Sequence, residues 1–349
     1  YRWHIFGEEV KGQWIRLKVN SRVRLATAWF HYSGKEKRSL KPASIFRGLA
    51  EKVEEDKSGA ILWALDNNRR TLGVAAKNQL DGQIKNVGYY ELDSNLRLVK
   101  QDDSELIGRV RKAAPIERSI CIDEASVIIK EEATGQIYRL PKGRADFSID
   151  TTFGWPRIVR GIVTQRALVN CAGTFYELPA KIAGSLGRIR PIATHNRHIY
   201  DFVSFRGLLV ISGMTSDASQ TGNQHIITSQ DGNCTLWAGT IDDLWELGKP
   251  RGAGGPWKNK RIEAGIASDP YLMTGYDKKT MILEHDAKET VKFQVEVDIN
   301  GKGLWKTYNK YEVKPEKSFE HSFPEGFSAY WIRLRADQNC LATAWFSYE

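Results

Sequence analysis

The 349-residue chain carries nearly the same stretch of sequence close to both ends. Trp14-Ile15-Arg16-Leu17 returns as Trp331-Ile332-Arg333-Leu334, and Leu25-Ala26-Thr27-Ala28-Trp29-Phe30 returns as Leu341-Ala342-Thr343-Ala344-Trp345-Phe346. His4, Phe6 and Glu8 match His321, Phe323 and Glu325, and Tyr32 matches Tyr348. The copies differ in length by one residue, in the turn between the two runs. Each run alternates in the manner of a strand. A duplicated two-strand unit is therefore expected at 1–32 and again toward the end of the chain.

The middle of the chain repeats more faintly. GQIYRLPKG (135–143) and GTFYELPAK (173–181) share a Gly-x-x-Tyr-x-Leu-Pro frame, while VGYYELDSN (87–95) and DDLWELGKP (242–250) keep its aromatic-x-Leu part. The aromatics Tyr90, Tyr138, Tyr176 and Trp245 are 48, 38 and 69 residues apart. The last gap spans about two units, with IYDFVSFRGLLVISG (199–213) where the missing member would fall. Runs of about five β-prone residues separated by ATG, CAG and QDGN are hairpin material. One amphipathic stretch, SIFRGLAEKVEEDK (44–57), is expected to be helical with Ser44 as its cap. Units of short strands at this period are the pattern of propeller blades. The expected fold is all-β, with about five to seven β-propeller-like blades. Residues 1–32 would supply outer strands and 33–270 the blades. In 271–349, TMILEHD, VKFQVEV, WKTYNKYEV, FEHSF, YWIRLRA and LATAWFSY would form either a last blade or a β-sandwich module.

Composition narrows the function classes. No apolar run approaches the roughly 20 residues of a membrane span. Four cysteines at 121, 171, 234 and 340 form no CxxC pair, which excludes a zinc ribbon and a thioredoxin-type motif. Neither a metal nor another cofactor is expected. The formal charge of +9 suits an acidic partner, but the basic residues are interleaved with acidic ones, and no nucleic-acid-binding motif is present. The chain opens on Tyr1 inside the first repeat copy, which is read as a processed or cut start of a precursor that can carry further domains.

The phrases from WAGTIDDLWELGKPRGAGGPWKNKRIEAGIASDPYLMTGYDKKTMIL through to ATAWFSYE resemble the C-terminal part of large exported bacterial proteins, carbohydrate-associated β-propellers. The resemblance covers about the last third of the chain and includes no catalytic motif. It implies a secreted or periplasmic protein with a polysaccharide or oligosaccharide partner, and favours a glycoside hydrolase or polysaccharide lyase. The alternative is a non-catalytic glycan-binding or scaffold propeller.

Candidate site residues follow from that chemistry. RIRPIATHNRHIYD (188–201) concentrates His195, Arg197, His198, Tyr200 and Asp201. A His can move a proton, and an Arg can neutralise a uronate carboxylate, as elimination from an acidic sugar requires. His225 opens a later strand and could meet this loop at a channel mouth. Asp217 is a carboxylate candidate for hydrolysis, whereas Asp242 and Asp243 are read as the turn before a Trp245 strand. Trp155, Arg157 and Arg160 are candidates for sugar binding, with a ring for the pyranose face and guanidiniums for a carboxylate. Trp257 and Lys258 are expected in a Gly-rich loop over the channel mouth. Arg16 and Arg333, with the repeated tryptophans, are read as cations resting on aromatics at a packed surface.

Overall fold

The computed structural model describes residue 49 and residues 58–63, 71–80, 83–113, 119–143, 157–163, 166–214 and 225–349. The first repeat copy and nearly all of the expected 44–57 helix lie outside these residues; Leu49, within that stretch, is helical. The described chain is mostly β, in several sheets. The first sheet is an antiparallel meander of β1 (Ser58–Trp63), β2 (Leu72–Leu80), β3 (Gln83–Leu92) and β4 (Leu98–Gln101). Helix α1 (Ser104–Ala113) follows, then the antiparallel strands that open the second sheet, β5 (Ile120–Ile122), β6 (Val127–Lys130) and β7 (Ile137–Leu140). The third sheet is a second four-strand meander, β8 (Val159–Val163), β9 (Arg166–Cys171), β10 (Thr174–Pro179) and β11 (Arg190–Thr194). The fourth sheet holds β12 (Phe202–Phe205), β13 (Leu208–Ile211), β14 (Ile226–Thr228) and β15 (Thr235–Gly239), with β15 inserted between β13 and β14.

Alternation explains how these sheets stack. Adjacent residues of a strand face opposite ways, so a strand between two layers must be apolar at both parities. In the fourth sheet Val203, Phe205, Val210 and Leu236 meet Leu62, Val74 and Tyr90 of the first. Their neighbours Phe202, Leu209, Ile211 and Trp237 meet Leu168, Phe175 and Ile192 of the third. The third sheet in turn sends Val169, Cys171 and Tyr176 toward Val127, Ile129 and Leu140. The stacking order is therefore first, fourth, third, second. The outer face of the first sheet is closed by α1, whose Leu106, Ile107 and Val110 cover Ala75 and Tyr89. Among the described residues no further sheet packs on that face. The edge strand β12 lies beside both β8 and β1, so the leading strands of three sheets meet.

The C-terminal strands are β16 (Gly252–Ile262), β17 (Tyr271–Leu272), β18 (Lys279–His285), β19 (Val291–Asp298), β20 (Trp305–Val313), β21 (Phe319–Ser322), β22 (Trp331–Ala336) and β23 (Cys340–Tyr348). They build a sheet of order β16-β23-β18-β21 and a seven-stranded sheet of order β20-β19-β22-β17-β7-β6-β5. The two repeated runs, β22 and β23, do not pair with each other. β22 pairs with β19 and β17, while β23 pairs with β16 and β18. Both sheets feed one core, with Ile332 and Leu334 from one and Ala344 and Phe346 from the other. The second sheet's fourth position is taken by β17, which lies parallel to β7 at Tyr271 and Arg139.

Two local expectations are corrected. GAGGPWKNKR is strand β16 and not a loop over a channel mouth. A Cβ on Gly255 would sit 1.8 Å from the Ala344 carbonyl oxygen, and one on Gly254 would sit 2.5 Å from that of Ala125. The glycines let β16 pass between two backbones and are unrelated to ligand approach. Trp245 is not in a strand. It lies 46 % exposed in the 3-10 helix Ile241–Leu247, which Thr240 and Asp243 open with a reciprocal capping box.

Candidate functional site

The residues expected to act together are dispersed. His195 is 2 % exposed and packs on Phe175, with ring centroids 4.7 Å apart. The backbone N–H of Arg197 donates to its Nδ1 at 3.2 Å, which puts the ring proton on Nε2, facing Asn170 Oδ1 at 2.7 Å. The lone pair that a general base would use is thus engaged by backbone. His225, fully buried in the fourth sheet, donates from Nδ1 to the Ala238 carbonyl at 2.9 Å and stacks on Trp237 at 4.9 Å. Arg197 is buried and His198 lies exposed. Asp217 and Trp155 lie outside the described residues. Trp257 is buried in β16, and exposed Lys258 holds its Nζ 5.3 Å from the Trp345 ring centroid.

Arg157, Arg160 and Tyr200 do come together, at the meeting of the leading strands. Asp201, 1 % exposed, accepts from Arg157 Nε at 2.9 Å and from Arg157 Nη2. It also accepts the backbone N–H of Leu62 at 2.7 Å and of Phe202 at 2.8 Å. Arg157 Nη2 additionally donates to the Leu62 carbonyl, and the Arg157 backbone N–H donates to Tyr200 O at 3.2 Å. Nearby, Ser212 Oγ donates to Ala60 O at 2.8 Å and receives the Asp201 N–H at 3.0 Å. Both guanidiniums lie over Trp63, at 5.4 Å for Arg157 and 5.6 Å for Arg160.

A half-open cavity of about 280 Å³ lies elsewhere, at the seam where β7 meets the C-terminal strands. Tyr138, Trp305, Arg333, Gln136, Ser268 and Asp269 line it. Its floor is Trp331, 1 % exposed, with its ring centroid 4.7 Å from that of Tyr138 at a 45° tilt, and donating Nε1–H to Gly187 O at 2.9 Å. Trp305 follows a turn built on Asp298, whose carboxylate accepts the N–H groups of Asn300, Gly301 and Gly303. Gly301 and Gly303 hold φ of 66° and 77°, the left-handed region that favours glycine. Arg333 lies 4.2 Å from the Trp305 ring centroid and donates from Nε to Glu296 Oε2 at 2.6 Å. It does rest on an aromatic, but on one from β20 rather than on a tryptophan of its own repeat. Burial acts to raise the Glu296 carboxyl, and the Arg333 hydrogen bond and charge outweigh it, leaving the group below its ordinary value. Asp269 is held by Arg139 Nε at 2.8 Å. Burial acts to lower Arg139, yet its hydrogen bonds to Asp123 and Asp269 leave it raised.

This cavity combines two part-exposed rings with planar polar groups, a surface for binding and orienting a small polar ligand. Its carboxylates are unsuited to proton transfer: Asp298 is buried and saturated by backbone donors, and Asp269 is tied to Arg139. In the sequence Tyr138 and Trp331 stand out as repeat members, and Arg333 as a repeat member resting on an aromatic, none of them as a ligand contact. Gln136, Ser268, Asp269 and Trp305 carry no motif, because they converge from three separate segments.

No protein-family model and no curated protein matches the chain. Among solved structures, the chain is similar to PirA at 11 % identity and a TM-score of 0.18, over 28 % of this chain and 84 % of that one. It is similar to a glycoside hydrolase at 8 % identity and a TM-score of 0.18, over 87 % and 99 % of the two chains. A family 43 arabinoxylan arabinofuranohydrolase from Bacillus subtilis, in complex with cellotetraose, aligns at 11 % identity and a TM-score of 0.16, over 84 % and 78 %. Likenesses at such scores carry no argument about activity.

Proposed function

We propose that this chain is an exported carbohydrate-binding protein that holds one sugar ring of a glycan in the seam cavity, with the strands from 252 onward forming a sandwich-type module beside propeller-like blades. The observation that carries the reading is the convergence of Tyr138 and Trp305 with Arg333, Gln136, Ser268 and Asp269. Aromatic rings accept the C–H face of a pyranose, while the polar groups meet its hydroxyls. About 280 Å³ falls just below the roughly 300–1,000 Å³ of drug-sized ligand sites, which suits a single ring better than a long chain segment. Binding at this cavity is favoured over catalysis there, since Asp298 is held by backbone donors and Asp269 by Arg139.

The test is a panel of neutral and acidic oligosaccharides, followed by calorimetry for binding and by reducing-end release and absorbance near ~235 nm, where an elimination product carrying a conjugated uronate absorbs, for turnover. Binding without turnover is expected. Trp305→Ala should weaken it by about tenfold or more, or roughly 1.4 kcal/mol. Binding that survives this substitution unchanged rejects the cavity, and turnover rejects the non-catalytic reading.

A further inference from the structure

The meeting point of β1, β8 and β12 has a charge imbalance that its internal hydrogen bonds leave standing. Two guanidiniums, Arg157 and Arg160, share the Trp63 ring. Asp201 is the described carboxylate whose field acts on both. That carboxylate is already occupied by Arg157 and by the backbone N–H groups of Leu62 and Phe202. Arg160 makes no hydrogen bond to it. Arg157 is only 3 % exposed, yet its Nη1 is buried without a hydrogen-bond partner, and Arg160 Nη1 is in the same condition.

A buried N–H left unmade costs more than most single contacts return, and an uncompensated buried charge costs more still. Among the described residues the cluster carries two positive charges against one negative. Burial, with a smaller push from Arg157 working against the pull of Asp201, brings Arg160 down to about 10, so it remains charged at neutral pH. What such an arrangement lacks is one anionic group with several acceptor oxygens. Paired guanidinium donors match the spacing of a carboxylate or sulfate, which accepts parallel N–H bonds.

We infer that Arg157 and Arg160, above Trp63, form an oxyanion site that takes a carboxylate or sulfate group. Arg157 is pre-oriented by Asp201, and Arg160 is the partly exposed member through which the ion enters. The two sources of that chemistry are a free ion and an acidic sugar. The inference is independent of the seam cavity, because it concerns different strands and a charged ligand.

The experiment follows thermal stability and calorimetric binding of the full chain with sodium sulfate, sodium acetate and galacturonate, each against sodium chloride at equal ionic strength. Saturable stabilisation above the chloride control is expected. Arg160→Gln should weaken it about tenfold or more through loss of the charged fork, and Arg160→Lys should recover it only in part. Galacturonate binding more tightly than acetate assigns the site to an acidic sugar, whereas equal affinities assign it to the free ion; both support the site. If none of the three saturates beyond chloride, or if Arg160→Gln binds as the parent does, the site is overturned. Should Arg160→Gln fail to fold, the partial response of Arg160→Lys decides in its place.

Discussion

Asp201 shows how a residue that looks like machinery can be framework. It stands at the end of a run dense in His and Arg, yet its carboxylate joins Leu62 of the first sheet, Arg157 of the third and Phe202 of the fourth. Asp201→Ala would leave the Arg157 guanidinium buried and unpaired. Breaking a buried pair from one side costs about 3–5 kcal/mol, so urea denaturation should show a midpoint lowered accordingly. Replacing both members, as in Arg157→Met with Asp201→Leu, should cost less than this single change. His195 teaches the same lesson, since its partner Asn170 lies 25 residues away and nothing in the local sequence indicates it. Sequence reading singled out a run of polar residues and could not distinguish side chains that face a ligand from side chains that tie layers together.

At the level of elements, alternation was the dependable signal. In CLATAWFSY the buried positions are Cys340, Ala342, Ala344, Phe346 and Tyr348, a strict period of two. The strands of Tyr90, Tyr138 and Tyr176 form as their shared frame suggests. The fourth frame, around Trp245, became a 3-10 helix because the Thr240–Asp243 capping box satisfies its opening N–H groups locally. Helix α1 was overlooked although it has a readable start: Asp103 Oδ1 accepts the N–H groups of Glu105 and Leu106. In β16 the decisive fact is distance. Gly255→Ala would force a methyl into the Ala344 carbonyl. Overpacking of this kind costs about 1–3 kcal/mol, and more where the neighbour is backbone. The midpoint of chemical unfolding should fall by that amount, whereas Gly265→Ala, with open space around it but a φ of 74°, tests backbone strain alone.

Over the whole molecule, the sheets are fastened by strands and charges that cross between them. β17 joins β7 of the second sheet to β22 from the far end of the chain, and Arg139 fixes that junction through Asp123 and Asp269. The Asp123 and Glu296 carboxyls are both depressed: burial opposes ionisation, and their arginine partners overcome it. A carboxyl whose folded value lies below its unfolded one contributes stability above the unfolded value and loses it as pH falls through the folded one. Stability should therefore be level at neutral pH and decline below about pH 4. Glu296→Gln should flatten this acid limb in denaturation curves recorded from pH 7 to 3, and an unchanged limb would show that the Arg333 pair does not stabilise the fold. The β class, the strand period and turns such as ATG and CAG were legible in the sequence, because these depend on neighbours within a few residues, and the duplication was legible by direct comparison of the two ends. Only long-range packing put the repeated strands β22 and β23 in different sheets and made β17 the link between β7 and β22 in a sheet whose first strand, β5, begins at Ile120. It also decided that the two rings of the seam cavity come from β7 and β20. Those choices are made by which apolar faces bury each other and which charges find partners, and that is a property of distant segments packed together rather than of any one segment.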